Sequence, residues 1–132
     1  RIVRGFGVRA PGPTPAPMYA PPSVDGWRHV PSWAWHRAGL EPPQARTLVA
    51  AAQRGTRIER ATHAAATGDE RDRVLTSLPG VGVWTAAETR IRAFGDPDAV
   101  SVGDYHVAHE VGFALTGTRA DDEGMLELLA PW

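Results

Sequence analysis

The fold is decided by one stretch of the sequence, Thr76-Ser77-Leu78-Pro79-Gly80-Val81-Gly82-Val83-Trp84-Thr85-Ala86. Its two glycines, Gly80 and Gly82, let the backbone turn tightly and approach another molecule closely. Apolar side chains recur at helical spacing on either side, so the stretch predicts a hairpin between two short helices. The second helix begins with unpaired N–H groups, which together make a site suited to a phosphate. The alternative interpretation is a tight helix–helix turn that binds nothing.

Helical spacing recurs through the rest of the chain, and no convincing alternation of apolar and polar residues predicts a strand. The predicted helices cover about 26–36 with a break at Pro31, 43–54, 56–66, 69–77, 83–94, 105–115 and 121–129. Gly55 is expected to end the helix at 43–54, and Thr56 with Glu59 has the spacing of a capping box for the next one. The predicted fold class is therefore all-α, built from several short helices.

The beginning of the chain differs in composition from the rest. Residues 1–7 have the pattern of the last turn of a helix that closes on Gly7. Residues 10–17 are rich in proline, which predicts an extended, solvated linker. We therefore expect residues 1–22 to be the end of a preceding helix and a linker, and residues 23–132 to be a helical domain. The sequence is interpreted as an internal fragment, incomplete at both ends.

Composition excludes several kinds of chemistry. The 132 residues include 14 basic residues, all arginine, against 15 acidic ones, so the net charge is −1. Without lysine no side chain forms a Schiff base, and without cysteine there is no disulfide, thiolate nucleophile or ordinary iron–sulfur cluster. The near-neutral charge argues against broad, non-specific adhesion to nucleic acid. No apolar run approaches the roughly 18–20 residues that span a bilayer, and we expect a cytoplasmic protein without a membrane partner.

The hairpin sequence Leu78-Pro79-Gly80-Val81-Gly82 resembles that of the helix-hairpin-helix DNA glycosylases. Within them, Trp84-Thr85-Ala86 is most similar to the 3-methyladenine DNA glycosylase II branch. Asp104, followed by Tyr105, stands 22 residues after Gly82, where this family carries its catalytic aspartate. The resemblance is strong over residues 69–117, with the helix-hairpin-helix at about 69–94. It implies an enzyme of base-excision repair that acts on double-stranded DNA as a monomer, associated with the nucleoid.

The resemblance also assigns roles to residues at the predicted site. Asp104 would stabilise the oxocarbenium ion that forms as a base leaves its sugar, or it would only cap the helix starting at Tyr105; the two roles can coexist. Trp84 would line the pocket for a flipped cationic purine, or it packs in the core. Tyr105 would sit beside the aspartate, or it serves packing. Bifunctional relatives place a lysine where this chain has Trp84, which implies base removal without strand cleavage.

Further expectations concern the DNA backbone. Gly80, Gly82 and the N–H near Thr85 would hold a phosphate, and a monovalent cation, Na⁺ or K⁺, would bind the three carbonyls of Thr76, Leu78 and Val81; no other cofactor is expected. Arg90 and Arg92 are predicted to lie on a solvated surface. Glu88 stands where the branch often has an aromatic residue, and here the chain departs from the pattern of the branch. The alternatives from other classes are a non-catalytic helix-hairpin-helix module that binds DNA and a purely structural helical domain.

Overall fold

The computed structural model describes residues 1–132, and the prediction of an all-α fold is confirmed at the level of fold class. The chain divides into two compact units, residues 1–64 with 78–80, and residues 65–77 with 81–132. The first unit contains α1 (Ile2–Phe6), β1 (Val8–Arg9), β2 (Tyr19–Ala20), α2 (Val24–Arg28), α3 (Ser32–Ala38), α4 (Pro42–Gln53) and α5 (Gly55–Ala64). The second contains α6 (Gly68–Thr76), α7 (Val83–Thr89), a π-helical turn (Arg90–Phe94), α8 (Val107–Thr116) and α9 (Asp122–Leu129).

The core of the first unit forms where α1 and α3 meet the chain between α2 and α3. Ile2, Val30, Ala34 and Trp35 are buried together there. Trp35 donates its indole N–H to the carbonyl of Val30 at 3.1 Å, and its ring stacks on Trp27 with centroids 5.7 Å apart. The polar edge of the buried indole is thereby satisfied, as burial requires. The residues before the proline-rich stretch therefore belong to the core of this unit.

The proline-rich stretch is exposed, as predicted, but it closes a small antiparallel β-hairpin that the sequence did not indicate. Val8 pairs with Ala20 and Arg9 with Tyr19, and Ala10 donates to the carbonyl of Met18 at 2.9 Å. Strands of two residues are too short for an alternation of apolar and polar side chains to be visible.

A second correction concerns Gly55, which begins α5 instead of ending the preceding helix. Its backbone lies close to Val24, because a Cβ at residue 55 would come within 2.9 Å of a methyl group of Val24. Glycine at residue 55 therefore allows close packing against Val24 and does not terminate α4. Thr56 lies inside α5 instead of capping it.

The second unit contains the helix before the hairpin and the helices after it. In it α7 packs against α6, and α8 packs against α9. Gly112 lets α8 approach Ala120 closely, and Met125 of α9 is fully buried. Asp121 caps α9, and its side chain accepts a hydrogen bond from the N–H of Gly124 at 2.9 Å. None of the helices in either unit is long and apolar enough to cross a membrane.

Candidate active site

Trp84 and Asp104 meet in the second unit, although 20 residues separate them in the sequence. The indole Nε1–H of Trp84 donates to Oδ2 of Asp104 at 3.1 Å. Trp84 lies in the first turn of α7 and is 43% exposed, so it is not the core residue of the alternative interpretation. The hydrogen bond holds the edge of the indole while leaving much of the side chain open to solvent.

The other carboxylate oxygen of Asp104 caps the entry to α8. Oδ1 accepts hydrogen bonds from the N–H groups of His106 at 2.9 Å and Val107 at 3.1 Å. The capping role is therefore present, with α8 beginning at Val107 instead of Tyr105. The His106 N–H, the Trp84 indole and the Val107 N–H together lower the pKa of Asp104 below its usual value of 3.8. All three donors favour the ionised carboxylate, so Asp104 is an anion at neutral pH.

The loop that carries Asp104 is held from two helices. Buried Ser101 donates its hydroxyl to Oε1 of Glu88 on α7, and Glu88 Oε2 pairs with Arg92. Gly103 donates its N–H to Oδ2 of Asp122 on α9 at 3.1 Å. Glu88 was noticed in the sequence only as a departure from the aromatic residue of the branch, because the spacing does not show that it faces Ser101. The structure gives it a positioning role behind the carboxylate.

Tyr105, the third residue predicted for the pocket, lies largely outside this arrangement. Its side chain is 82% exposed, and its ring makes an edge contact with the imidazole of His106 at 4.8 Å between centroids. The structure therefore brings Trp84 and Asp104 together and leaves Tyr105 on the surface next to them in the chain. Its role in a pocket stays a prediction.

The two hairpin glycines differ in whether the structure requires a residue without a side chain. Gly80 has φ +85°, which only glycine adopts readily, and a Cβ there would collide with the hydroxyl of Thr47. Gly82 has an extended backbone that any residue adopts, and a Cβ there would meet nothing within 4 Å. Nothing inside the chain therefore requires glycine at residue 82. The first hydrogen bond of α7 runs from the N–H of Ala86 to the carbonyl of Gly82. The N–H groups before Ala86, including that of Thr85, therefore have no partner within the helix.

The carbonyls predicted to bind a cation belong to residues in different settings. Thr76 is the last residue of α6, Leu78 is buried in the first unit, and Val81 is half-buried in the second. Because the three residues are divided between the units, the cation site stays a prediction.

The prediction of a solvated surface is wrong for Arg90 and agrees with the structure for Arg92, whose side chain is 70% exposed. Arg90 is 8% exposed and donates to Asp72 at 2.7 Å and to Asp96 at 2.9 Å. A Cβ at Gly68 would collide with its guanidinium group, so Gly68 makes room for it. Arg90 links α6 to the turn after the π-helical residues, and the guanidinium hydrogen bond lowers the pKa of Asp96.

Comparison with known proteins assigns no family to this chain. Neither the family models nor the curated proteins that were searched contain a match to this chain.

Proposed function

We propose that this protein is a monofunctional DNA glycosylase of base-excision repair that hydrolyses the N-glycosidic bond of alkylated purines, as in the 3-methyladenine type. The observation that carries the proposal is the hydrogen bond from the Trp84 indole to the Asp104 carboxylate at 3.1 Å. It joins the two residues on which the resemblance depends. Damaged double-stranded DNA is the proposed substrate, and the cytoplasm, at the nucleoid, is the proposed place of action.

The ionised state of Asp104 fits the stabilisation of a positive charge better than the removal of a proton. Breaking the bond between the base and C1′ develops positive charge on the sugar, and a fixed carboxylate stabilises that charge. Because its hydrogen bonds lower the pKa of Asp104, the carboxylate is a weak base. We therefore assign it to stabilising the oxocarbenium ion and orienting the water whose oxygen adds to C1′. The proton of that water passes to solvent, and an N-alkylated cationic purine leaves as a neutral base.

Trp84 supplies an aromatic surface next to this carboxylate. A cationic purine is attracted to an indole face by about 0.5–2 kcal/mol, and the exposed side chain of Trp84 is open to such a ligand. Glu88 is engaged with Ser101 and Arg92, so it does not replace the aromatic residue that the branch often has at this position. Of the two aromatic residues predicted for the pocket, Trp84 is the one bonded to Asp104, and cation–π attraction to its indole favours charged bases over neutral ones.

The hairpin would bind the DNA backbone without reading its sequence. Gly82 needs no glycine for its own conformation or packing, and a residue without a side chain lets a phosphate approach the backbone. The N–H groups at the start of α7, including that of Thr85, are the proposed donors, with Gly80 setting the turn. The Na⁺ or K⁺ ion predicted at the carbonyls of Thr76, Leu78 and Val81 remains part of this proposal.

A second candidate is a non-catalytic helix-hairpin-helix module that binds DNA. In this candidate the two bonds from His106 and Val107 give Asp104 its whole role, that of a helix cap. The two candidates differ in their products, because only the enzyme releases a base.

The test uses duplex DNA methylated to contain 7-methylguanine and 3-methyladenine. Free methylated base is expected in solution by chromatography, together with an abasic strand that stays unbroken until alkali is added. Borohydride should trap no covalent enzyme–DNA adduct, because the chain has no lysine to form one. Binding of the duplex without release of any base would overturn the enzyme and support the module.

A further inference from the structure

The near-neutral net charge of the chain conceals two oppositely charged units. Residues 1–64 contain nine arginines and three acidic residues, a net charge of +6. Residues 65–132 contain five arginines and twelve acidic residues, a net charge of −7. A strongly basic unit is the electrostatic footprint of a polyanion-binding surface. The first unit, which carries none of the proposed catalytic residues, therefore carries the positive charge that such a surface needs.

Most of the arginines in the first unit are unpaired. Arg28 forms an ion pair with Asp25, and it is the one arginine among residues 1–64 with a carboxylate within 4 Å. In the second unit, by contrast, Arg71, Arg90 and Arg92 all pair with acidic side chains. The positive charge of the first unit is thus available to an external anion.

Three of these arginines surround one groove between α1 and α3. The groove has a volume of about 650 Å³, and its lining contains no acidic residue. Arg1 directly precedes α1, Arg4 lies in α1 and Arg37 in α3, and Arg1 donates to the carbonyl of Arg37 at 2.9 Å. Trp33 lies one helical turn before Arg37 on the same face of α3 and is 60% exposed.

We propose that this groove binds single-stranded nucleic acid, with Arg4 and Arg37 contacting phosphates and Trp33 stacking on a base. Guanidinium groups beside an exposed aromatic ring are the combination that sequence-tolerant binding of single strands uses. The bases of a duplex are already stacked and present no free face to an indole, so Trp33 favours unpaired nucleotides. The groove is independent of the base-removal proposal, because it contains neither Asp104 nor Trp84.

The test measures binding of a fluorescent twenty-nucleotide oligothymidine to the whole chain by anisotropy over a range of salt concentrations. Arg4→Gln combined with Arg37→Gln should weaken binding about tenfold and reduce the slope of log Kd against log salt by about 1.4, the value for two lost phosphate contacts on a single strand. Trp33→Ala should weaken binding about fivefold or more, and Trp33→Phe should restore most of it. Because the side chains of Arg4, Trp33 and Arg37 are exposed, we expect each variant to melt like the wild type, and thermal unfolding is measured first.

The matched control neutralises two other unpaired arginines of the same unit, Arg57 and Arg60 on α5. Arg57→Gln combined with Arg60→Gln should change affinity less than threefold. An equal loss in the control pair would show diffuse attraction to a basic unit and overturn the groove. Wild-type affinity for the oligothymidine in Trp33→Ala would also overturn it. None of these outcomes bears on base release at Asp104.

Discussion

Removing the hydroxyl of Ser101 tests whether Glu88 holds the loop that carries Asp104. In Ser101→Ala, the hydrogen bond to Oε1 of Glu88 is lost and no other group is moved. Ser101 is 5% exposed and the side chain of Glu88 is 21% exposed, so water replaces the lost donor only in part. The carboxylate keeps its pairing with Arg92, and its charge is not left without a partner.

These conditions set the size of the effect. A hydrogen bond to a charged group contributes about 1.5–3 kcal/mol, and the remaining Arg92 partner places Ser101→Ala in the lower half of that range. We therefore expect the free energy of unfolding to fall by about 1.5–2 kcal/mol. The control is Ser77→Ala, because Ser77 is exposed and donates only to the carbonyl of Val74 within its own turn. That variant should lose about 0.5 kcal/mol or less.

Urea denaturation of the wild type, Ser101→Ala, Glu88→Gln and the double variant measures the coupling energy between the two residues. A parallel ¹H–¹⁵N spectrum follows the indole N–H of Trp84, which should shift in Ser101→Ala and stay unchanged in Ser77→Ala. The positioning role would be refuted by a loss in Ser101→Ala no larger than that in Ser77→Ala, with the Trp84 signal unmoved.

Two further predictions concern the buried arginine and the hairpin. Arg90→Met should destabilise the chain by about 2–4 kcal/mol, because Asp72 loses its counter-charge and Asp96 keeps only the longer ion pair with Arg71, at 3.9 Å; unfolding in urea would measure this, and a loss below about 1 kcal/mol would speak against it. Because Arg90 lowers the pKa of Asp96 below 3.8, the pair stabilises the wild type above that pH and the contribution disappears as pH falls through the lower folded value; the pH dependence should flatten in Arg90→Met. Gly80→Ala should cost about 1–2 kcal/mol or more, from its left-handed backbone and the collision with Thr47. Gly82→Ala should melt like the wild type and yet weaken duplex binding in an anisotropy titration; unchanged affinity would remove the hairpin from the proposed interface.

Local patterns predicted much of the helical framework. The apolar spacing within residues 43–54 and the acidic start at Asp121 depend only on neighbours one or two turns away, and both helices are present. The capping role of Asp104 was also readable, because an aspartate before a helix accepts from the N–H groups that follow it.

Features that depend on distant partners could not be predicted in this way. Arg90 has no acidic residue one helical turn away with which it pairs, and its partners come from 18 residues before it and 6 after it. The π-helical turn that contains it also breaks the regular helical period. The meeting of Trp84 with Asp104 was expected only through the resemblance, since no periodicity relates two positions 20 residues apart. The charge difference between the units was present in the sequence, but the net charge of −1 for the whole chain did not show it.

The rate of base release in a single turnover on methylated duplex DNA tests the role of Asp104 most directly. Asn is as good a helix cap as Asp, so the amide oxygen in Asp104→Asn keeps the hydrogen bonds that begin α8. The substitution removes the charge, and it also removes the acceptor of the Trp84 indole N–H, because an amide NH2 group only donates. The control is Asp121→Asn, which makes the same change at the cap of α9. We predict that Asp104→Asn lowers the rate at least about a hundredfold, while Asp121→Asn leaves it within about twofold. Equal rates for the wild type and Asp104→Asn would contradict the account.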